Sequence, residues 1–177
     1  MGAALGAALL VLGLDPGTAV TGFGVVRGDG RGAATLVECG VFRTSPRDAL
    51  ADRLVAIFDG VTALIARHAP DALAVESIFY ARNVRTTVTL GHARGVLLLA
   101  GAQAGVAIHE YPPAEIKKAI TGTGAATKEQ VQYMVKTLLR LKTVPSPNDA
   151  ADGVAAALTC LLAARTTALL EGAGRSR

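Results

Sequence analysis

The chain has no tryptophan and only seven other aromatic residues, four Phe and three Tyr. It has two cysteines, Cys39 and Cys160. That is too few for a disulfide framework or a cysteine-rich zinc site, and both read as packing residues. The three histidines, His68, His92 and His109, are scattered without metal-ligand spacing, so none is assigned as a ligand. The longest early apolar run, Ala7 to Leu14, falls far short of the ~20 residues of a membrane span. No basic residue precedes it, the first being Arg27, so the charged start of a secretory signal is also missing. These absences predict a buried strand at Ala7–Leu14 and a cytoplasmic protein without a membrane role. Internal repeats and Pro/Ser-rich linkers are lacking too. The 177 residues therefore suggest one domain, with about residues 1–8 and 171–177 as a flexible leader and tail.

What is present is apolar: 51% hydrophobic against 18% charged residues, enough to bury a sizeable core and exclude a disordered chain. The net charge of +4 is modest but unevenly placed. Residues 76–142 hold nine basic and four acidic side chains, whereas residues 1–75 hold six and seven. The central surplus fits either a polyanion-binding face or an ordinary solvated surface.

Patterning predicts a mixed α/β architecture. Leu9–Leu14, Gly22–Val26 and Thr35–Phe42 read as an antiparallel meander joined by the turns Asp15-Pro16-Gly17-Thr18 and Arg27-Gly28-Asp29-Gly30. Leu50, Leu54, Ile57, Val61, Leu64 and Ile65 recur at helical spacing within Asp48–His68. A short strand at Leu73–Val75, a helix over Val84–Ala104 and a strand at Val106–Glu110 follow. Helices around Glu115–Ile120, Lys128–Leu141 and Asn148–Leu170 complete the chain. A meander followed by alternating helices and strands implies helices packed on a mixed sheet.

Four carboxylates stand apart from the surface acids. Asp15 and Glu76 each directly follow an apolar strand, and Asp149 and Asp152 lie three apart on an otherwise apolar helix. Residues i and i+3 share a helix face. Taken singly each has a plain explanation: a turn residue, a strand-end charge, or an acid suited to the first helical turn. Asp152 fits those least well, because its neighbours Ala151, Val154, Ala155 and Leu158 mark a buried face. Strand ends and helix N-termini often meet at one edge of an α/β sheet. If the four converge, each pair ~4 Å apart repels by on the order of 4 kcal/mol at an effective dielectric of 20. Such a cluster holds together as anions only around cations. All-oxygen ligation selects Mg²⁺ or Mn²⁺, and two such ions form the usual clamp on a phosphodiester.

Several ordered segments resemble the RuvC family of crossover-junction endodeoxyribonucleases, which has an RNase H-like fold. They are Leu12-Gly13-Leu14-Asp15-Pro16-Gly17-Thr18 with Thr21-Gly22-Phe23-Gly24; Val75-Glu76-Ser77-Ile78-Phe79-Tyr80-Ala81-Arg82-Asn83; Leu90-Gly91-His92-Ala93-Arg94-Gly95; Tyr111 with Ile116-Lys117 and Gly122-Thr123-Gly124; Lys128-Glu129-Gln130-Val131-Gln132 with Met134-Val135; and Asp149-Ala150-Ala151-Asp152. The resemblance spans about Val11 to Leu162. It implies a five-stranded mixed sheet flanked by helices and places the family's metal-binding acids on Asp15, Glu76, Asp149 and Asp152. It further implies a homodimer that cuts four-way (Holliday) junction DNA symmetrically in recombination and repair, leaving 5′-phosphate and 3′-hydroxyl ends, alongside RuvA/RuvB branch-migration partners. The leader, the loop Thr143–Pro147 and Ser77, where relatives often carry Gln, depart from the pattern.

The loop after Glu76 interleaves Phe79 and Tyr80 with Arg82, Asn83 and Arg85, a composition suited to unstacked bases and phosphates. For Phe79 the resemblance favours base stacking; for Tyr80, DNA contact and helix packing stand equal. Lys117, Lys118 and Lys128 flank the turn Thr121-Gly122-Thr123-Gly124. Lys117 and Lys128 are expected to assist at the phosphate, and Lys118 is expected to be a solvated neighbour. The Val84–Ala104 helix is apolar on more than one side, with Gly91 and Gly95 four apart, which predicts a subunit interface. Three rivals remain: an RNA-processing RNase H-like nuclease, an actin-like or sugar-kinase-type phosphate-binding fold, and a DNA-binding module without catalysis.

Overall fold

The computed structural model describes residues 8–77 and 84–174. Its strands are β1 (Leu9–Asp15), β2 (Val20–Gly28), β3 (Ala34–Arg43), β4 (Ala72–Glu76) and β5 (Ala107–Tyr111). Its helices are α1 (Leu50–His68), α2 (Val84–Gln103), α3 (Pro113–Thr121), α4 (Lys128–Leu138) and α5 (Asn148–Gly174). The expected elements are all present, most with ends shifted by one or two residues. Two ends differ more: α4 stops at Leu138, and α5 runs to Gly174, through part of the stretch expected to be a loose tail.

The sheet order is β3-β2-β1-β4-β5. β1, β2 and β3 pair antiparallel; β4 and β5 add parallel to β1. The antiparallel strands follow from short turns, and the parallel ones require α1 and α2 as crossovers. Alternation along β1 and β4 divides the core. Leu10, Leu12, Leu14, Leu73 and Val75 pack with Ile57, Val61 and Leu64 of α1 and Leu97 of α2. Val11, Ala72 and Ala74 face the other way, onto α3, α4 and α5. On that same side the strands carry glycines. A methyl group at Gly13 would stand 2.0 Å from the Gly153 carbonyl oxygen, and one at Gly22 would stand 1.8 Å from that of Asp149. The backbone of α5, lined there by Ala150, Ala151, Gly153 and Ala157, therefore lies directly on the sheet.

Candidate active site

Period-two alternation that turns Val11 and Gly13 toward α5 also turns Asp15 toward it. The β1–β4 register pairs Leu14 with Val75, so Asp15 and Glu76 end neighbouring strands one residue further on. Close seating of α5 on Gly13 and Gly22 then brings its first turns over those strand ends. Asp15, Asp149 and Asp152 each offer a carboxylate oxygen, and these oxygens all lie within 4.8 Å of one another. All three residues are half-buried. Glu76, also half-buried, lies near enough to Asp15 and Asp152 for their charges to act on one another.

Burial, followed by the charges of Glu76, Asp152 and Asp149, pushes the Asp15 carboxyl from 3.8 up to about 8. Burial, followed by the charge of Asp152, pushes Glu76 from 4.5 to about 7. Like charges and poor solvation disfavour the anions together. Two lysines oppose them. Lys128, the first residue of α4, is placed by the capping box of Thr127 and Gln130. Its Nζ donates to Asp152 Oδ2 at 2.7 Å, and that hydrogen bond raises its own pKa. The charge of Lys117 on α3 lowers the Glu76 value, as does that of Lys128.

Once ionised, the four carboxylates against two ammonium groups leave an anionic excess that a hard divalent cation fits. The donor set is all oxygen, and no histidine joins it: His68 is engaged with Glu38 at 2.6 Å, and His92 and His109 are exposed. Among the described residues Asp15, Asp149 and Asp152 form the single group of three or more acids, cysteines or histidines close enough to share an ion; Glu76 borders that group without belonging to it.

Other expected contacts are placed unevenly. Phe79, Tyr80, Arg82 and Asn83 lie outside the described residues. Arg85 is exposed on the first turn of α2 and, with Thr18, Thr86, Thr89 and Leu90, lines a cleft of about 250 Å³ beside the Asp15 turn. Lys118 is exposed on α3, as expected of a solvated neighbour. The larger cavity, about 400 Å³, surrounds the C-terminal half of α5 and is not the acidic pocket. Gly13 and Gly22 went unassigned as site-building residues in the sequence. Their signal was glycine at α5-facing positions of adjacent strands, opposite an Ala-rich helix carrying two acids.

A mixed 3-2-1-4-5 sheet with carboxylates at the ends of its first and fourth strands and on its last helix defines an RNase H-like, divalent-metal-dependent nuclease. Residues 11–160 match the family model described as crossover junction endodeoxyribonuclease RuvC. The Pelotomaculum thermopropionicum enzyme of that name is 50% identical over 150 residues, covering 85% of this chain and 91% of the relative. The Halorhodospira halophila enzyme is 52% identical over 148 residues, covering 84% and 87%. Among solved structures, Thermus thermophilus RuvC in complex with Holliday junction substrate superposes with a TM-score of 0.86 at 38% identity, covering 90% of this chain and 97% of that one. The yeast mitochondrial Holliday junction resolvase, at 13% identity and a TM-score of 0.64 over 89% and 80% of the two chains, shares the fold. The chain belongs to the RuvC family of crossover junction endodeoxyribonucleases. It is thus a metal-dependent endodeoxyribonuclease of DNA recombination and repair, which sets aside the RNA-processing, phosphate-kinase and non-catalytic alternatives.

Proposed function

We propose that this protein, acting as a single nuclease domain, resolves four-way DNA junctions with Asp15, Glu76, Asp149 and Asp152 as ligands of two ions, Mg²⁺ or Mn²⁺. The observation that carries this is the convergence of three carboxylate oxygens within 4.8 Å from β1 and two turns of α5. Ions held there would activate water and stabilise the leaving oxygen, so that hydrolysis yields 5′-phosphate and 3′-hydroxyl ends. The protein's own groups prepare that chemistry. Burial and neighbouring charge push Asp15 up to about 8 and Glu76 to about 7, so a cation binding there would compete with protons for both carboxyls. Lys128, a largely exposed side chain paired with Asp152, is placed to turn from its carboxylate to an incoming phosphate, and Lys117 adds a second positive charge. Phe79, with Tyr80, Arg82, Asn83 and Arg85, would engage bases and phosphates at the branch point. Lys118 would add a peripheral phosphate contact.

Symmetric cutting calls for a homodimer. Support comes from the outer side of α2, where Val84, Val88, Gly91, Gly95 and Leu99 recur at helical spacing and are all exposed. Among the described residues nothing lies within 4 Å of a methyl placed on Gly91 or Gly95, so a second helix could approach closely there. A twofold axis beside this stripe would present two acidic pockets to a twofold junction. The proposal extends to RuvA/RuvB-type branch-migration partners and a cytoplasmic location, for which membership of the family is the support.

The deciding experiment is cleavage of a synthetic four-way junction and of linear duplex in Mg²⁺ or Mn²⁺. Preferential junction cutting is expected, with Asp15→Asn losing about 10³-fold or more in rate. Equal cutting of both substrates, or undiminished cutting by Asp15→Asn, would overturn the proposal. Leu99→Glu should yield a monomer in light scattering.

A further inference from the structure

The turn that carries Asp15 into the acidic pocket is pinned from outside that pocket. Thr21 Oγ1 donates to the Gly17 carbonyl at 2.6 Å. Just beyond β3, Thr44 donates its amide to the Ala19 carbonyl at 3.0 Å and its hydroxyl to the Thr18 carbonyl. The same hydroxyl accepts a hydrogen bond from Arg53 Nε of α1 at 3.0 Å. A hydroxyl that accepts from a guanidinium is a stronger donor, so the Arg53–Thr44–Thr18 chain is cooperative. Thr18 and Thr21 are buried, and Thr44 and Arg53 are half-buried, so water competes weakly for these bonds. The turn is tight within itself, so a displacement at one point is passed along it. A methyl at Gly17 would meet the Val20 carbonyl oxygen at 2.1 Å, and at its far end Gly22 seats the Asp149 backbone. Displacing the Thr18 carbonyl therefore shifts the strand end under Asp15 relative to the helix bearing Asp149 and Asp152.

We infer that Thr44 and Arg53 are positioning residues for the nuclease reaction: acting through the Thr18 carbonyl, they hold Asp15 at the separation from Asp149 and Asp152 that a shared divalent ion requires. Neither residue is among the acids, lysines or loop residues assigned above. The inference rests on the metal-site assignment of the preceding section.

The test is Mn²⁺ binding to the full chain without DNA, followed by electron paramagnetic resonance, beside junction binding in Ca²⁺ and cleavage as a function of Mn²⁺. Thr44→Val removes the hydroxyl and keeps the side-chain shape. It should weaken Mn²⁺ binding roughly tenfold, the range seen when groups that orient metal ligands are removed. Thr44→Ser should remain within about twofold of wild type, and Arg53→Met should fall between them. Junction affinity in Ca²⁺ should be unchanged, and cleavage by Thr44→Val should recover at high Mn²⁺. Unaltered Mn²⁺ affinity in folded Thr44→Val overturns the inference. So does weaker junction binding by Arg53→Met at normal Mn²⁺ affinity, which would make Arg53 a phosphate contact. If Thr44→Val does not fold, the Arg53→Met and Arg53→Lys pair carries the same test. Asp15→Asn is the reference arm: if it too binds Mn²⁺ normally, the metal-site assignment falls; if it alone loses Mn²⁺, only the positioning role falls.

Discussion

The two halves of α5 have similar composition and opposite uses. Asn148–Glu171 is long and apolar enough to cross a membrane by length and composition alone. Its first half spends that apolar surface on backbone-level contact: Val154 through Ala157 are buried, and Gly13, Gly22 and Gly24 of the sheet lie directly beneath. Its second half leaves Leu169 and Leu170 52% and 69% exposed and borders the 400 Å³ cavity with Leu161, Leu162 and Ala168. Leu9, which opens β1, lines that cavity, while Asp15, which closes β1, lies in the acidic pocket. Packing precision is thus concentrated where carboxylates converge within a few ångströms of one another, and relaxed towards the far end of the helix. Like-charged side chains make this necessary, since their repulsion would push any loosely seated helix away.

The largest effect that sharpens this contrast is steric. Gly13→Ala puts a methyl group 2.0 Å from the Gly153 carbonyl oxygen and 2.4 Å from the Ala157 nitrogen, both backbone atoms that cannot rotate aside. Overpacking of this kind should cost about 3 kcal/mol, which lowers the melting temperature by roughly 10 °C in a chain of this size. Cleavage should fall as well, since α5 carries Asp149 and Asp152 away from Asp15. Near-wild-type melting and activity in Gly13→Ala would mean that α5 is not seated on the glycines.

Metal removal tests the same end through charge. A carboxyl whose folded pKa is raised retains a proton that the unfolded chain releases, so its contribution to stability falls as pH rises. For Asp15 that window runs from about 4 to about 8, and for Glu76 from about 4.5 to about 7. A divalent ion needs the deprotonated forms and must displace those protons. The increase in melting temperature on adding Mg²⁺ or Mn²⁺ should therefore be larger at pH 8 than at pH 5.5. At a hundredfold excess over its dissociation constant the ion adds about 2.7 kcal/mol. An increment independent of pH would show that the ion binds away from Asp15 and Glu76.

This pocket was largely legible in the sequence because its logic is local at each position. An acid ending an apolar strand is visible without coordinates, as are two acids three apart on an Ala-rich helix. The antiparallel meander and the mixed α/β layering also followed, from short turns and from alternating helices and strands; the order β3-β2-β1-β4-β5 and the division of the core between two faces came only with the fold. What was not legible depends on contacts between distant segments. Thr44 and Arg53 are ordinary residues at a strand exit and on a helix; only the fold places them against Thr18. Lys128 was expected to assist at phosphate, and its hydrogen bond to Asp152 emerges from α4 abutting α5. The apolar pattern of α2, too broad for one buried face, led to the expectation of a subunit interface, and the fold leaves Val84, Val88 and Leu99 of that helix exposed. The run of α5 to Gly174 was not anticipated, because its last residues carry no helix-specific signal and part of that stretch is solvent-exposed.

The smallest expected effect lies at the loose end of α5 and is informative for being small. Leu170 is 69% exposed and sits about six turns beyond Asp149, so replacing it removes little buried apolar area. Leu170→Gln should change stability by no more than about 0.5 kcal/mol, as for surface positions generally, and leave junction cleavage unaltered. A polar side chain on an exposed helix face also preserves helix propensity. Thermal unfolding at two protein concentrations reads the result. If Leu170→Gln lowers the melting temperature by several degrees, or does so only at high concentration, the end of α5 is covered in solution. The contrast between its two halves would then be one of unlike partners, the sheet at one end and a second surface at the other, rather than of tight against loose packing.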